Sequence, residues 1–207
     1  PKSLIDLCLK SSQNKEDILH QIPHFMFPII SISVSVIPRL LVLLFNHKDV
    51  LQKVIEEINS VNDNSHLFYL RKCILESVRL DNLVITTFRT LSEDFSFDKE
   101  YSFEKGDQFL ILNNPVLRET EYFENPNEFI PERWTEEMEK SYYALSFGQG
   151  PQRCPGKDLS IYLCQSFIYN FFKIKNINKD TIIKTNKLDT TNIPQIINPF
   201  SIKIQIN

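Results

Sequence analysis

The arrangement best suited to chemistry is the run FGQGPQRCPG, Phe147 to Gly156, which sets a cysteine among glycines and prolines directly before a helix-forming segment. The chain has 4 glycines in all, and Gly148, Gly150 and Gly156 fall within this run. Such clustering in a glycine-poor sequence points to backbone turns that a side chain would obstruct. Cys154 sits where the positive end of the following helix would point, a placement that favours the thiolate, the form that ligates a metal. An arbitrary cysteine is an inert core residue, but this loop argues for a ligand. Gly148 and Gly150 match neither G-x-G-x-x-G nor G-x-x-x-x-G-K-[ST], so they give little support to a phosphate cradle.

The second constellation is Glu76 and Arg79 in ESVRL, joined downstream by Arg133 in PERW. Three apart on a helix, Glu76 and Arg79 share a face and can pair. Alone, such a pair is usually solvated and contributes little. Its order ahead of Arg133 and the cysteine loop is what raises it above that.

These residues need elements to hold them. Residues 14–46 read as one long central helix with a polar start (Ser11, Ser12, Glu16, Asp17) and a strongly apolar second half. Its middle invites a membrane-span reading, but Pro28, Pro38, Arg39 and several serines interrupt it, so a buried core helix is expected instead. An amphipathic helix follows over 49–58. Residues 67–80 form the helix carrying Glu76, with Leu67, Leu70, Ile74, Leu75 and Val78 as its apolar side. The period then shifts towards two over 83–117, which predicts short strands of one small antiparallel sheet turning at Lys105-Gly106-Asp107. A Pro- and Glu-rich meander and the cysteine loop occupy 123–156. The helix over 157–172 is expected to pack through Leu159, Leu163, Phe167 and Phe171, and the tail PFSIKIQIN alternates like an edge strand. The fold class is mainly α with a small antiparallel β portion, an α+β chain within one domain.

Composition removes several function classes. With 207 residues, 42% hydrophobic, the chain can bury a core, so disorder is excluded as its main description. A formal net charge of -3 gives no nucleic-acid footprint. Four cysteines at positions 8, 73, 154 and 164 form no C-x-x-C pair, which argues against a zinc site or a disulfide scaffold. Cys8, Cys73 and Cys164 are assigned packing roles only. No secretory signal pattern follows Pro1, and the sequence reads as a fragment.

The order E-x-x-R, PERW, F-G-x-G-x-x-x-C-x-G resembles the cytochrome P450 superfamily of haem-thiolate enzymes, from about Ser3 to the C-terminus. The likeness covers roughly the C-terminal, haem-binding half of such a domain. By that resemblance Cys154 is the proximal thiolate ligand of a haem iron, and Phe147 packs near the sulfur. Gly148, Gly150, Arg153 and Gly156 belong to the same cofactor loop, Arg89 contacts a haem propionate, and Glu76, Arg79 and Arg133 form a buried triad beneath the haem. The implied reaction is monooxygenation: thiolate donation favours O-O cleavage, and one oxygen atom of O2 enters a C-H bond of an apolar small molecule. The implied partner is an electron-donating reductase, NADPH-dependent or ferredoxin, docking on the cysteine side near Lys140, Arg153 and Lys157. For a eukaryotic protein the implied location is the endoplasmic reticulum membrane, with membrane association only through a segment outside this chain.

Two departures from the family pattern stand out. Where the family usually has a basic residue two before the cysteine, this chain has Gln152, with Arg153 one later. Where the central helix usually offers an acid-alcohol pair, it has Pro28-Ile29-Ile30-Ser31-Ile32-Ser33, without an acid. Ser31 and Ser33 could supply a hydroxyl for proton delivery, or merely bond back to the helix. Two other readings therefore stand beside the monooxygenase: a haem-thiolate isomerase acting on peroxides without O2 activation, and an incomplete or degenerate relative without catalysis. With the partner half missing, the central helix is expected to expose a large apolar surface.

Overall fold

The computed structural model describes residues 6, 10, 14–178, 180–181, 183–187 and 197–206, without the side chains of Lys15, Ile22, Phe25 and Ser33. Cys8, the expected caps Ser11 and Ser12, and the Ser33 hydroxyl therefore lie outside the described residues. Asn14 caps the central helix, its side chain accepting from the Glu16 amide at 3.2 Å, with Glu16 and Asp17 complementing the positive helix end.

The central helix is not uniformly α. α1 (Lys15–Ser31) passes into a π turn (Ile32–Val36) and then α2 (Ile37–Asn46). Pro28 and Pro38 flank the π turn, and each removes an amide from the helical ladder, so the backbone between them re-registers into a wider turn. The expected burial holds for α2, where Ile37 and Leu40 to Phe45 are all buried. In α1 it is the expected exposed apolar surface that is found: Leu19, Met26, Phe27 and Ile30 are exposed, Phe27 at 73%. The stretch Glu16–Asn46 is long and apolar enough to cross a membrane by length and composition, and about half of its most apolar 18-residue window is buried in the protein.

α3 (Lys48–Ser60) presents Val50, Val54, Ile55 and Ile58 to the core at helical spacing. α4 (Phe68–Leu80) buries Leu70, Ile74, Leu75 and Val78 as expected, together with the charged Glu76 and Arg79. No side chain of its own caps α4; the Glu57 carboxylate on α3 does so, accepting from the amides of Tyr69 (2.6 Å) and Leu70 (2.9 Å). An acidic group at a helix N-terminus satisfies free amides and the dipole together, which fixes the position of the Glu76 helix.

The region 83–117 forms two separate ladders, not the one sheet expected. β1 (Thr86–Thr90) pairs antiparallel with β4 (Gln108–Leu112), Arg89 lying opposite Phe109, while β2 (Phe95–Phe97) and β3 (Tyr101–Phe103) make a hairpin of their own. Asp98 and Lys99 both take positive φ, 53° and 62°, in the hairpin's three-residue connection, Asp98 to Glu100. That short turn closes the inner pair on itself.

After the short α5 (Asn113–Val116) and α6 (Glu136–Lys140) comes α7 (Lys157–Ile174). The packing face expected for α7 is corrected: Ile161, Cys164, Ile168 and Phe172 are buried, whereas Leu159 and Phe167 are exposed. Apolar residues line this helix on more than one side, so periodicity alone could not choose between faces. The tail does pair at an edge, β6 (Gln205–Ile206) antiparallel to β5 (Ile183–Lys184). Arg39 of α2 ties the C-terminal segment to the core, pairing with Asp81 at 2.6 Å and donating to the Ile197 carbonyl at 2.7 Å.

Candidate functional site

Glu76 is fully buried and is the hub of the region beneath the cysteine loop. Arg79 Nε and Nη2 each donate to its carboxylate at 2.8 Å, Arg133 Nε at 3.0 Å, Trp134 Nε1 at 2.8 Å and the Ile130 amide at 3.1 Å. The remaining guanidinium donors reach backbone carbonyls: Arg79 holds Leu117 (2.7 Å), Pro126 (2.8 Å) and Glu128 (3.3 Å), and Arg133 holds Asn125 (3.2 Å). Phe123 covers Arg79, 5.0 Å from ring centroid to guanidinium carbon. The triad thus clamps residues 117–134, which carry almost no regular structure, onto α4. Motif spacing singled out the two arginines. It missed Trp134 and the carbonyl acceptors, because a backbone acceptor has no residue type to betray it.

The cysteine loop closes on itself, the Cys154 amide donating to the Phe147 carbonyl at 2.8 Å. Gly148 (φ 68°) and Gly150 (φ 74°) take the left-handed conformation that the glycine clustering implied. Gly156 does not; it precedes α7 with φ -90°. Cys154 lines a cavity of about 520 Å³ that reaches from the central helix to α7. Phe147, Gly148 and Gln152 share its wall with Arg89 of β1, Ser31 and Ile32 of the central helix, and Ile74 and Val78 of α4. Cys164 also lines it, and burial pushes that thiol up to about 12, so it remains protonated. Ser31 Oγ donates to the Phe27 carbonyl at 3.2 Å, the backbone-bonded arrangement. No Asp or Glu is among the described residues that line this cavity.

Outside the loop lies a groove of about 980 Å³ to which Lys140, Arg153, Lys157 and the other side of Cys154 contribute. Arg153 is exposed and faces this groove; it is not among the residues lining the inner cavity. Lys157 pairs with Glu139 at 2.9 Å, and Glu139 also pairs with Arg71 of α4. Burial raises the Glu139 carboxyl, but hydrogen bonds from Arg71 and Lys157 outweigh that and leave it below its ordinary value. Lys140 pairs with Glu136 on its own short helix.

Residues 1–196 match the family model described as Cytochrome P450. The chain belongs to the cytochrome P450 family. Among curated relatives, cytochrome P450 4V2 of Rattus norvegicus is 30% identical over 179 residues, 77% of this chain and 34% of that protein. The beta-amyrin 11-oxidase of Glycyrrhiza uralensis is 32% identical over 124 residues, covering 58% of this chain and 25% of the relative. The C-22 sterol desaturase of Saccharomyces cerevisiae is 32% identical over 160 residues, 70% and 29% respectively. The chain therefore spans about a quarter to a third of the length of the P450 relatives it matches.

P450 membership implies a haem, and the residues of the inner cavity fit one. Its volume is in the range of cofactor sites, about 300–1,000 Å³. Its walls are mainly apolar, with the Cys154 sulfur on one side and the Arg89 cation at β1.

Proposed function

We propose that this chain is the haem-binding part of a P450-type monooxygenase that inserts one oxygen atom from O2 into an apolar organic substrate. The observation that carries the reading is the shared cavity: Cys154, held by the glycine turns, faces it together with Arg89 and the apolar wall of the central helix. When bound, haem supplies the oxygen chemistry, and a thiolate ligand favours O-O cleavage. Cys154 ligates the iron, Phe147 shields the sulfur, Arg89 holds a propionate, and Glu76, Arg79 and Arg133 keep the underlying meander in register. Names such as beta-amyrin 11-oxidase and C-22 sterol desaturase among the relatives support an apolar substrate. An NADPH-dependent reductase or a ferredoxin docks over the outer groove. Arg153, exposed there with no carboxylate in pairing range among the described residues, is available to it; Lys140 is exposed but pairs with the equally exposed Glu136, and Lys157 is engaged in a largely buried pair with Glu139. The plant, rodent and yeast sources of the relatives support an endoplasmic reticulum location.

One observation favours a second reading. With no acid among the described residues that line the cavity and Ser31 bonded to the backbone, the described side chains of the central helix offer little proton delivery, and rearrangement of a peroxide substrate does not require it. The test is to supply the haem-loaded chain with an apolar hydrocarbon probe and either NADPH with a reductase or an organic hydroperoxide, and to measure oxygenated product by mass spectrometry. Product driven by NADPH is the expected result. Product only with the hydroperoxide would replace the first reading with the second. No product from either would leave a degenerate relative that lacks catalysis.

A further inference from the structure

Lysine is seldom buried without a partner, and a cation in the first turn of a helix opposes the helix dipole. Lys157 goes against both preferences: it is the first residue of α7, and its side chain is 17% exposed, against 72% for Lys140 on the same groove. Its ammonium is 2.9 Å from Glu139 Oε1 and lies over the Phe147 ring, 5.9 Å from the centroid, within cation–π range. Glu139 is itself fixed from α4, accepting from Arg71 Nε at 3.2 Å and from Arg71 Nη2. Arg71 also pairs with Asp158 of α7 at 3.0 Å. Groups on α4, α6 and α7 thus hold one ammonium against one ring.

That ring stands at a junction. Phe147, Gly148 and Cys154 are the described residues that line both the inner cavity and the outer groove. Gly148 has no side chain, so the Phe147 ring is the one bulky group among them between the charged groove and the apolar cavity. The Phe147 backbone is fixed, because its carbonyl accepts from the Cys154 amide at 2.8 Å and the left-handed turn at Gly148 follows it. The ring is only partly buried: the core packs against it, and Lys157 covers it from the groove. A ring swung aside would open the groove to the cavity beside the cysteine, and solvent access around a ligand atom tunes its donor strength.

We propose that Lys157 is a positioning residue: held by Glu139, its ammonium pins the Phe147 ring across this junction and so keeps groove water from the Cys154 sulfur. The proposal rests on the haem-binding reading above and gives Lys157 a part in it in place of a reductase contact. Arginine can take the same place, since it pairs with a carboxylate and stacks on an aromatic face. Methionine fills much of the volume without the charge.

The test follows the ferrous carbon-monoxide Soret band of the haem-loaded chain at pH 7, in urea below the unfolding transition, and measures how fast the red-shifted thiolate form is lost. Lys157→Met should speed that loss about three- to tenfold, the scale of one cation–π contact, and Lys157→Arg should keep the wild-type rate. Glu139 retains Arg71 in both variants, so both should fold, and the melt of each apo variant checks this. Phe147→Leu should speed the loss as well, and adding Lys157→Met to it should change the rate no further, because Lys157 acts through the ring. A wild-type rate in Lys157→Met would overturn the proposal, and so would an undiminished effect of Lys157→Met in the Phe147→Leu background; either leaves the haem-binding reading intact. If Lys157→Met does not fold, Lys157→Gln takes its place with the same two outcomes. A folded wild-type chain with no red-shifted band would overturn both the proposal and the haem-binding reading.

Discussion

The region beneath the cysteine loop and the region facing the cavity treat polar and apolar groups in opposite ways. Beneath the loop, the two oxygens of Glu76 accept five hydrogen bonds, and Arg79, fully buried, donates in every direction. On the cavity side Phe27 of α1 stands exposed, and Ile30 of α1 with Phe88 and Leu112 on the other face of the β1-β4 ladder leave further apolar surface open. The first region is complete within this chain. The second presents surface that further structure and a cofactor would cover, which accords with a chain matching 25–34% of the length of its relatives. Burying a charge network is not itself a large source of stability, because desolvation opposes the attraction. Its value here is to pin a meander that has little regular structure to a helix that has.

Substitutions can break this contrast, and the largest effect is expected at its hub. Glu76→Gln keeps the shape but strands two buried guanidinium groups, and should cost about 3–5 kcal/mol, seen as loss of the cooperative melt. Retention of a wild-type melt would mean that the network is dispensable. Trp134→Phe removes one donor and leaves a Glu76 oxygen short of a partner, a loss of about 1–3 kcal/mol in denaturant unfolding. Glu139→Gln should matter less, at most about 1 kcal/mol, since the site is partly solvated. Its sign with pH is fixed: Glu139 is held below its ordinary value, so its stabilisation is present at neutral pH and is lost as pH falls through the folded-state value. Melting curves of wild type and Glu139→Gln should therefore differ at pH 7 and converge in acid. The smallest effect is expected on the open side, where Ser31→Ala should shift unfolding by no more than about 0.5 kcal/mol.

The same contrast explains what the sequence made legible. Glu76, Arg79, Arg133 and Cys154 are charged or nucleophilic residues at fixed separations, and the structure brings the first three into one network and sets Cys154 on the cavity wall. Local turn chemistry was legible at Gly148 and Gly150, where positive φ is required, and not at Gly156, where it is not. The face of α7 was not legible because Leu159 and Phe167 look as apolar as Ile161 and Ile168, and only packing against the core selects the second pair. The split of 83–117 into two ladders depends on Asp98 and Lys99 adopting positive φ, which non-glycine residues seldom announce. The π turn at Ile32–Val36 follows from two prolines whose combined effect on register is not a pattern in residue type.

The central claim is that Cys154 ligates a haem in the cavity it lines. The most direct measurement is the ferrous carbon-monoxide difference spectrum of the haem-supplemented chain, taken beside Cys154→Ala. A strongly red-shifted Soret band in the wild type that is absent from the variant is the predicted result. The same band in both, or in neither while the wild type is folded, would contradict it.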